Sequence, residues 1–358
     1  MKKFIKIFLI VLISLVMIVV GYVSYVLITY YRIEDNLELD ITNNQDALVE
    51  VGTNYTITTY NIGFGAYEQN YSFFMDTGVM EDGTKTQGVH SRALSKENAI
   101  NNTKGAIEEI KKLNADFCFF QEVDTKSTRS YKVNQKEMIE EAFSNFSSTY
   151  AVNYHSAYLF YPLYEPIGKS NSGILTLSKF KMSSSLRRSF PLSDSTLENL
   201  TDLDRCLSIN RFKVSEDKDL VLINLHFSAY DEGGKVRARQ MEMLNEILVQ
   251  EEANYVIVGG DFNHELVETN FPTKQLKPGW AYPFPASDLP TSYSVVAATN
   301  APTCRGADMV YEKGVDYTVV IDGFIVNDKI SVISIENIDI EFKYSDHDPV
   351  KMVFKLND

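Results

Sequence analysis

The stretch Val256–Ile257–Val258–Gly259–Gly260–Asp261–Phe262–Asn263 decides the reading of this chain. Its β-branched run predicts a buried strand. The double glycine predicts a bend and a close approach by a ligand. A carboxylate and a carboxamide then follow two residues apart. Side chains alternate along an extended chain, so Asp261 and Asn263 are expected to point the same way, as oxygen ligands at the mouth of a sheet.

Working outward, four further pieces have the same character: Tyr60–Asn61–Ile62, Gln121–Glu122, Asn224–Leu225–His226 and Ser345–Asp346–His347. Alternation and apolar runs predict strands over 56–60, 117–122, 173–178, 205–214, 219–227, 255–261, 318–326, 331–342 and 349–356. Helical spacing is predicted over 96–113, with Ser95 as N-cap, over 134–146 and over 235–252. Many strands with occasional helices suit two mixed sheets packed face to face, with helices outside. The expected fold is therefore a four-layered α/β sandwich. Residues 271–293, rich in proline and aromatics, are expected to be a long ordered loop shaping a site.

The N-terminus is different in kind. From Ile7 to Tyr31 there are 25 residues without a charge, enough to cross a bilayer. Lys2, Lys3 and Lys6 precede this run, so the positive-inside bias puts the N-terminus in the cytoplasm and the rest outside the cell. A cleaved signal peptide is the competing reading, but its apolar region is roughly 7–15 residues and ends in small residues. This run contains no alanine. The expected organisation is a cytoplasmic tip and single-pass signal-anchor over 1–32, a polar stalk over 33–52 and one domain over 53–358. Net charge is −14 overall, and −18 after Arg32, where 30 basic residues face 48 acidic ones. Such a surface repels polyanions and disfavours sequence-indifferent nucleic-acid binding. Cys118, Cys206 and Cys304 are scattered and odd in number; no disulfide framework can be read from them.

Each candidate for chemistry also has a plainer explanation. Asn61 before Gly63 fits a turn, Glu122 fits a strand exit, and His226 fits a satisfied strand-end histidine. Asp346–His347–Asp348–Pro349 is harder to dismiss, because carboxylates flanking an imidazole hold its proton and tautomer. Asp322 lies in an apolar run and needs a partner such as His347. Together, oxygen ligands from Glu122, Asn61, Asp261, Asn263 and Asp346 suit Mg²⁺ or Mn²⁺. Without a Cys or His-x-x-x-His set, zinc is disfavoured. Two histidines beside such a metal suit phosphate ester cleavage.

In this order, Thr59–Tyr60–Asn61–Ile62, Gln121–Glu122, Asn171–Ser172–Gly173–Ile174, Asn224–Leu225–His226, Gly260–Asp261–Phe262–Asn263, Ile321–Asp322 and Ser345–Asp346–His347 resemble the endonuclease/exonuclease/phosphatase superfamily. This DNase I-like group also includes bacterial sphingomyelinases and inositol phosphatases; the chain looks like a membrane-anchored, bacterial-type member. The resemblance implies Glu122 as principal metal ligand, with Asn61 and Asp346 in or near the metal shell. It implies Asp261 and Asn263 on the attacking water and phosphate, His226 and His347 on the scissile phosphate, and Asp322 paired with His347. Arg205 and Thr303 fall where phosphate contacts are found in such proteins, and Arg129 and Asn171 join them as candidate substrate contacts. An aromatic insert containing Tyr67, Tyr71, Phe73, Phe74, His90 and Arg92, and the stretch Tyr230–Gly234 with Arg237 and Arg239, are expected to build a pocket from arginine forks and rings.

The expected activity is a Mg²⁺-dependent phosphodiesterase or phosphatase outside the cell. Its substrate would be a phosphorylated small molecule or lipid headgroup; no protein partner is implied. The rivals are an extracellular nuclease acting on DNA or RNA, and a non-catalytic surface module on the same fold.

Overall fold

In the computed structural model, which describes residues 2–191, 203–229 and 235–357, the chain opens with helix α1 (Lys2–Thr29). Strands β1 (Leu37–Glu38), β2 (Ile41–Thr42) and β3 (Asn54–Asn61) follow, then a hairpin of β4 (Thr77–Val79) and β5 (Lys85–Gln87). Helix α2 (Lys96–Lys112), β6 (Phe117–Asp124), α3 (Gln135–Ala142), β7 (Ser147–His155), β8 (Asn171–Ser178) and β9 (Ser184–Ser189) come next. The C-terminal half contains β10 (Cys206–Lys213), β11 (Asp219–His226), α4 (Lys235–Gln250), β12 (Tyr255–Asp261) and β13 (Tyr293–Val296). It ends with β14 (Cys304–Arg305), β15 (Thr318–Val319), β16 (Asp322–Asn327), β17 (Ile330–Asn337) and β18 (Val350–Leu356).

Two seven-stranded sheets result, ordered β1-β9-β10-β11-β12-β16-β13 and β17-β18-β3-β6-β8-β7-β2. Each contains one parallel pair, β11 with β12 and β3 with β6. A helix makes each crossover, α4 in the first sheet and α2 in the second, as parallel neighbours require. Ser95 caps α2 by accepting from Asn98 N at 3.1 Å.

Parity along the strands sorts the layers. In β12, Tyr255 and Ile257 join Ile57, Phe117 and Phe119 in the core between the sheets, while Val256 and Val258 pack under Leu244 and Leu248 of α4. On the far side Ile107, Ile110 and Ile139 cover Phe120, Leu175 and Leu177. The fold is thus the four-layered sandwich of two mixed sheets with helices outside.

Strands β1, β2, β4, β5, β7, β9, β13 and β14 lie outside the expected set; β7, β9 and β13, the ones among them in the large sheets beyond the segment after α1, lack an apolar signature. β7 is Ser-, Thr- and Tyr-rich, and its hydroxyls are used internally: Ser147 donates to Phe180 O at 2.8 Å and Thr149 to Ser185 Oγ at 3.0 Å. β9 and the short β13 escape for the same lack of alternation. The strand expected over 318–326 is broken at Val320–Ile321, and the one over 331–342 stops at Asn337. There the Asn337 carboxamide turns back to Ala298 O and Ala301 O.

The expected stalk is corrected. Residues after α1 do not hang free but dock. Asp35 pairs with Arg188 at 3.0 Å, Leu37–Glu38 adds to β9, and Ile41–Thr42 adds to β7. Backbone pairing needs no apolar side chains, so a polar composition conceals it.

The double glycine also serves a different purpose from the one expected. A Cβ on Gly260 would lie 2.0 Å from Leu225 O, at a φ of +145°, and one on Gly259 would lie 2.6 Å from the Phe324 ring. It is the neighbouring strands that approach closely. Gly260→Ala is expected to destabilise the fold by about 3 kcal/mol or more, read as a lowered urea midpoint.

Candidate active site

The inter-sheet face that is apolar in mid-strand turns polar at the C-terminal ends of the two parallel pairs. Continuing the parity of Tyr55, Ile57, Leu220, Leu222, Tyr255 and Ile257 leads to Asn61, Asn224, His226 and Asp261. The parity of Phe324 leads back to Asp322. His226, Asp261 and Asp322 stand side by side, with His226 in register with Asp261 and Asp261 with Asp322. Gln121 joins the sheets, donating to Asn224 Oδ1 at 2.8 Å.

Asp261 is the hub. Its Oδ2 accepts from Asn61 Nδ2 at 3.0 Å and lies 3.1 Å from His226 Nε2 and 3.7 Å from His347 Nε2. Its Oδ1 accepts from Asn263 N at 2.9 Å. Burial opposes its ionisation, but the two imidazoles hold the carboxyl well below its usual range. His347 Nδ1 lies 2.8 Å from Asp322 Oδ2. Burial works against the His347 imidazolium, yet Asp322, with further help from Asp261, holds its pKa well above the ordinary histidine value. His226 moves the other way, lowered by burial and then by the charge of Arg205. One imidazole is therefore kept charged and the other neutral. His226 Nδ1 has no hydrogen-bond partner among the described residues.

Glu122 reaches the site by breaking parity. A bulge between Phe120 and Val123, with Glu122 at a φ of +55°, re-aims its side chain. Its charge is felt by Asp346, His226 and Arg129. Asp346 is pushed up to about 6 by withdrawal from water, with Glu122 adding to the rise. Ser345 positions this segment, donating to Asn61 O at 2.8 Å. Gly63, at a φ of +50°, leaves room beside Asp346 Oδ1, which would lie 3.0 Å from a Cβ there.

Two acidic groupings could hold a cation. Ligand atoms of Asp261, Asp322 and His347 lie within 4.8 Å of one another. In that group, however, His347 is already bonded to Asp322, and Asp261 to His226 and Asn61, which makes it a proton-sharing network. Glu122 and Asp346 instead place like charges near each other, an arrangement a hard divalent ion relieves.

Several sequence expectations need correction. Asn263 does not continue the strand alternation: β12 ends at Asp261, Asn263 has a φ of +48°, and its Nδ2 donates to Phe227 O at 2.9 Å. Arg129 is not directed at substrate. It forks onto Asp124 at 2.9 and 3.1 Å and stacks 3.8 Å over Phe64, bracing the strand that carries Glu122. Thr303 is buried, and its hydroxyl accepts from Ile321 N at 3.0 Å and Asp322 N at 3.1 Å. It positions Asp322. Thr303→Val is expected to lower kcat by about tenfold with KM unchanged, because it leaves those amides unsatisfied; steady-state kinetics checks this.

Arg205 lies close enough to His226 to lower its pKa. Asn171 is held by its backbone, whose N–H donates to Ser127 Oγ at 2.8 Å, and its half-buried carboxamide has no protein partner among the described residues. The aromatic insert is packing rather than an open pocket: Tyr67, Tyr71, Phe73 and Phe74 are buried together around Phe64. Arg92 donates to Pro166 O at 2.6 Å. Tyr230–Gly234 lies outside the described residues. Arg305 has no counterpart among the sequence expectations. It is buried, donates to Tyr67 O, Glu68 O and Tyr71 O at 3.1–3.3 Å, and eases the charge on Asp346. No local pattern marks it, since its partners are backbone carbonyls, the adjacent Gly306 O and three more than 200 residues away.

The endonuclease/exonuclease/phosphatase family profile matches residues 58–347, and the chain belongs to that family. Members are phosphoric ester hydrolases that use divalent metals, and this chain is an enzyme of that class, a phosphoesterase or nuclease. Comparison with curated proteins returns no match. Among solved structures, an endonuclease/exonuclease/phosphatase from Beutenbergia cavernae superposes with a TM-score of 0.54 at 14% identity, covering 85% of this chain and 72% of that one. ANGEL2, a 2′,3′-cyclic phosphatase in complex with adenosine-2′,3′-vanadate, gives 0.53 at 15%, covering 91% and 99%. D. rerio TDP2 complexed with a single-strand DNA product gives 0.52 at 12%, covering 85% and 99%. The apolar helix Lys3–Thr29, whose most apolar 18 residues have mean hydropathy 3.0 and are not buried, has the length and composition shared by membrane spans and N-terminal signal sequences.

Proposed function

We propose that this chain is a membrane-anchored, outward-facing phosphoesterase that hydrolyses a phosphodiester or phosphomonoester with the help of Mg²⁺ or Mn²⁺. The observation that carries the reading is the convergence of His226, His347 and Asp261 beside the like-charged Glu122 and Asp346.

Glu122 and Asp346, with the second lone pair of Asn61 Oδ1, offer the all-oxygen donor set a hard cation prefers. Asn61 spends the first lone pair on Gly63 N, 3.0 Å away. Bound there, the cation would draw charge from the phosphoryl oxygens. His347, held charged by Asp322, donates from Nε2 to a phosphoryl oxygen and stabilises charge growing there. Asp261, kept ionised, orients the attacking water and both imidazoles; a carboxylate held so low is a poor proton acceptor. His226, kept neutral, donates from Nε2 to Asp261 and fixes the orientation of that carboxylate. Arg205 adds positive charge at the same edge.

The acidity of the domain favours small phosphorylated molecules or lipid headgroups over polymers. The single-strand DNA product held by D. rerio TDP2 keeps a nuclease as the rival.

Full-length protein in detergent, assayed on an aryl phosphodiester, phosphorylated metabolites, phospholipids and DNA, tests the reading. Turnover of small esters that EDTA abolishes and Mg²⁺ restores, with DNA left intact at low salt, is expected. Rapid DNA cleavage would transfer the assignment to the nuclease, and metal-independent turnover would overturn the cation site.

A further inference from the structure

Segment 158–164, Tyr-Leu-Phe-Tyr-Pro-Leu-Tyr, carries no charge, and its large side chains face water. Leu163 is 86% exposed, Tyr164 69%, Tyr161 68% and Phe160 52%. This tongue is built rather than loose. Leu159 and Gly168 exchange backbone hydrogen bonds at 3.1 and 3.0 Å, and Ile167 N donates to Tyr161 O at 3.1 Å. The next residue, Glu165, accepts from Ser91 N at 2.6 Å. An ordered, uncharged, apolar projection on a strongly acidic domain marks a binding surface.

Its occupant follows from what it touches. Tyr22 of α1 donates to Tyr158 O at 3.1 Å and packs edge-on to Phe160, with ring centroids 5.4 Å apart. Tyr158 N donates to Tyr25 Oη at 3.2 Å. Helix length sets the depth of these contacts. The 27 residues of Lys3–Thr29 span roughly 40 Å at 1.5 Å each, against a hydrocarbon core of about 30 Å. With Lys3 and Lys6 left among the headgroups of the opposite leaflet, a core of about 30 Å takes roughly twenty residues, from Ile7 to Val26, so Tyr25 stands at its outer boundary, Tyr22 one turn below it, and Tyr30 and Tyr31 in the headgroup layer. Tyr22, Tyr25, Tyr30 and Tyr31 form the aromatic belt expected at that boundary. A loop packed against Tyr22 and Tyr25 lies at the same boundary.

We infer that tongue 158–164 is a second membrane contact. It inserts into the interfacial layer of the leaflet from which α1 emerges and holds the catalytic domain against the bilayer. This rests on the reading of α1 as an uncleaved anchor. Ring contacts connect the tongue to the catalytic centre: Tyr161 meets Phe74 at 5.5 Å, Phe74 meets Phe73 at 5.0 Å and Phe73 meets Tyr67 at 5.7 Å. Tyr67 in turn abuts Gly63 beside Asp346. A cavity of about 820 Å³ opens nearby, lined by Met75, Lys277, Trp280 and Asp308 among others. Without lysine or arginine in the tongue, the contact is apolar and insensitive to salt.

The test uses the full chain in phosphatidylcholine vesicles, with Trp280, the only tryptophan, replaced by phenylalanine. Single probes are introduced as Leu163→Trp in the tongue, Ile18→Trp in α1 and Val249→Trp on an exposed control site of α4. Brominated acyl chains are expected to quench the probes at 163 and 18 about twofold or more and to leave that at 249 unchanged, with no change in 0.5 M salt. Quenching at 18 but not at 163 would overturn the tongue and leave the anchor standing. Quenching at neither would remove the anchor, and the tongue with it. A probe at 163 shielded from aqueous iodide yet unquenched by bromine would mean that another protein surface covers it, which also overturns the inference.

Discussion

Asp261→Asn will lower kcat on the order of 10³–10⁴-fold while leaving the thermal midpoint within a few degrees of wild type. The substitution keeps the shape of the side chain and can keep the bond from Asn263 N, so the β12 terminus stays in place. What it loses is charge. Oδ2 now accepts from Asn61 and faces both imidazoles. An amide there turns either its NH₂ toward other donors or its oxygen away from the attacking water. The His347 imidazolium also loses one of the carboxylates that hold it charged. Because Asp261 is in the proton-sharing network rather than between Glu122 and Asp346, the Mg²⁺ concentration for half-maximal rate will change by less than about threefold. Single-turnover rates and a Mg²⁺ titration measure both quantities. A kcat within about tenfold of wild type would remove Asp261 from the chemistry.

Glu122→Gln produces the complementary result. Losing one full ligand charge beside Asp346 will raise the Mg²⁺ requirement by about 100-fold, and saturating Mg²⁺ will restore part of kcat. The carboxamide is nearly isosteric with the carboxylate and occupies the same bulge at the same φ, so the cost to the fold is small. Isothermal titration with Mg²⁺ reads the affinity directly, without reference to turnover. An unchanged affinity would retire Glu122 as a ligand and point back to the Asp261–Asp322–His347 group.

Long apolar strands are legible in the sequence because β-branched periodicity reports burial. Val256–Val258, Leu220–Leu225 and Phe117–Phe120 therefore locate both parallel pairs and, with them, the ends where the site has to lie. Of the residues that gather there, Asn61, His226, Asp261 and Asp322 are legible for the same reason, as polar interruptions of apolar runs, and His347 through the carboxylates that flank it. Residues whose partners are backbone groups or nearby carboxylates are not legible. Thr303 and Arg129 look like substrate contacts, yet they spend their hydrogen bonds on the Ile321 and Asp322 amides and on Asp124. Arg305 leaves no trace, because carbonyls carry no sequence signature. The glycines of Gly259–Gly260 signal close approach correctly, but a neighbouring strand is the near object. β7 and β9 escape because hydroxyl-rich strands do not alternate.

The two dipeptide strands after α1 bear on how a soluble form of this enzyme could be prepared. Leu37–Glu38 and Ile41–Thr42 each close one margin of the sandwich, β1 against β9 and β2 against β7. A truncated secreted fragment starting at residue 53 would strip both margins at once and leave two ladders of unsatisfied amides as templates for self-association. A fragment starting after residue 42 would do the same, and one starting just after α1 would not. The segment that follows α1 is therefore also a guard against aggregation, and a fragment that keeps both margins must begin between Thr29 and Leu37.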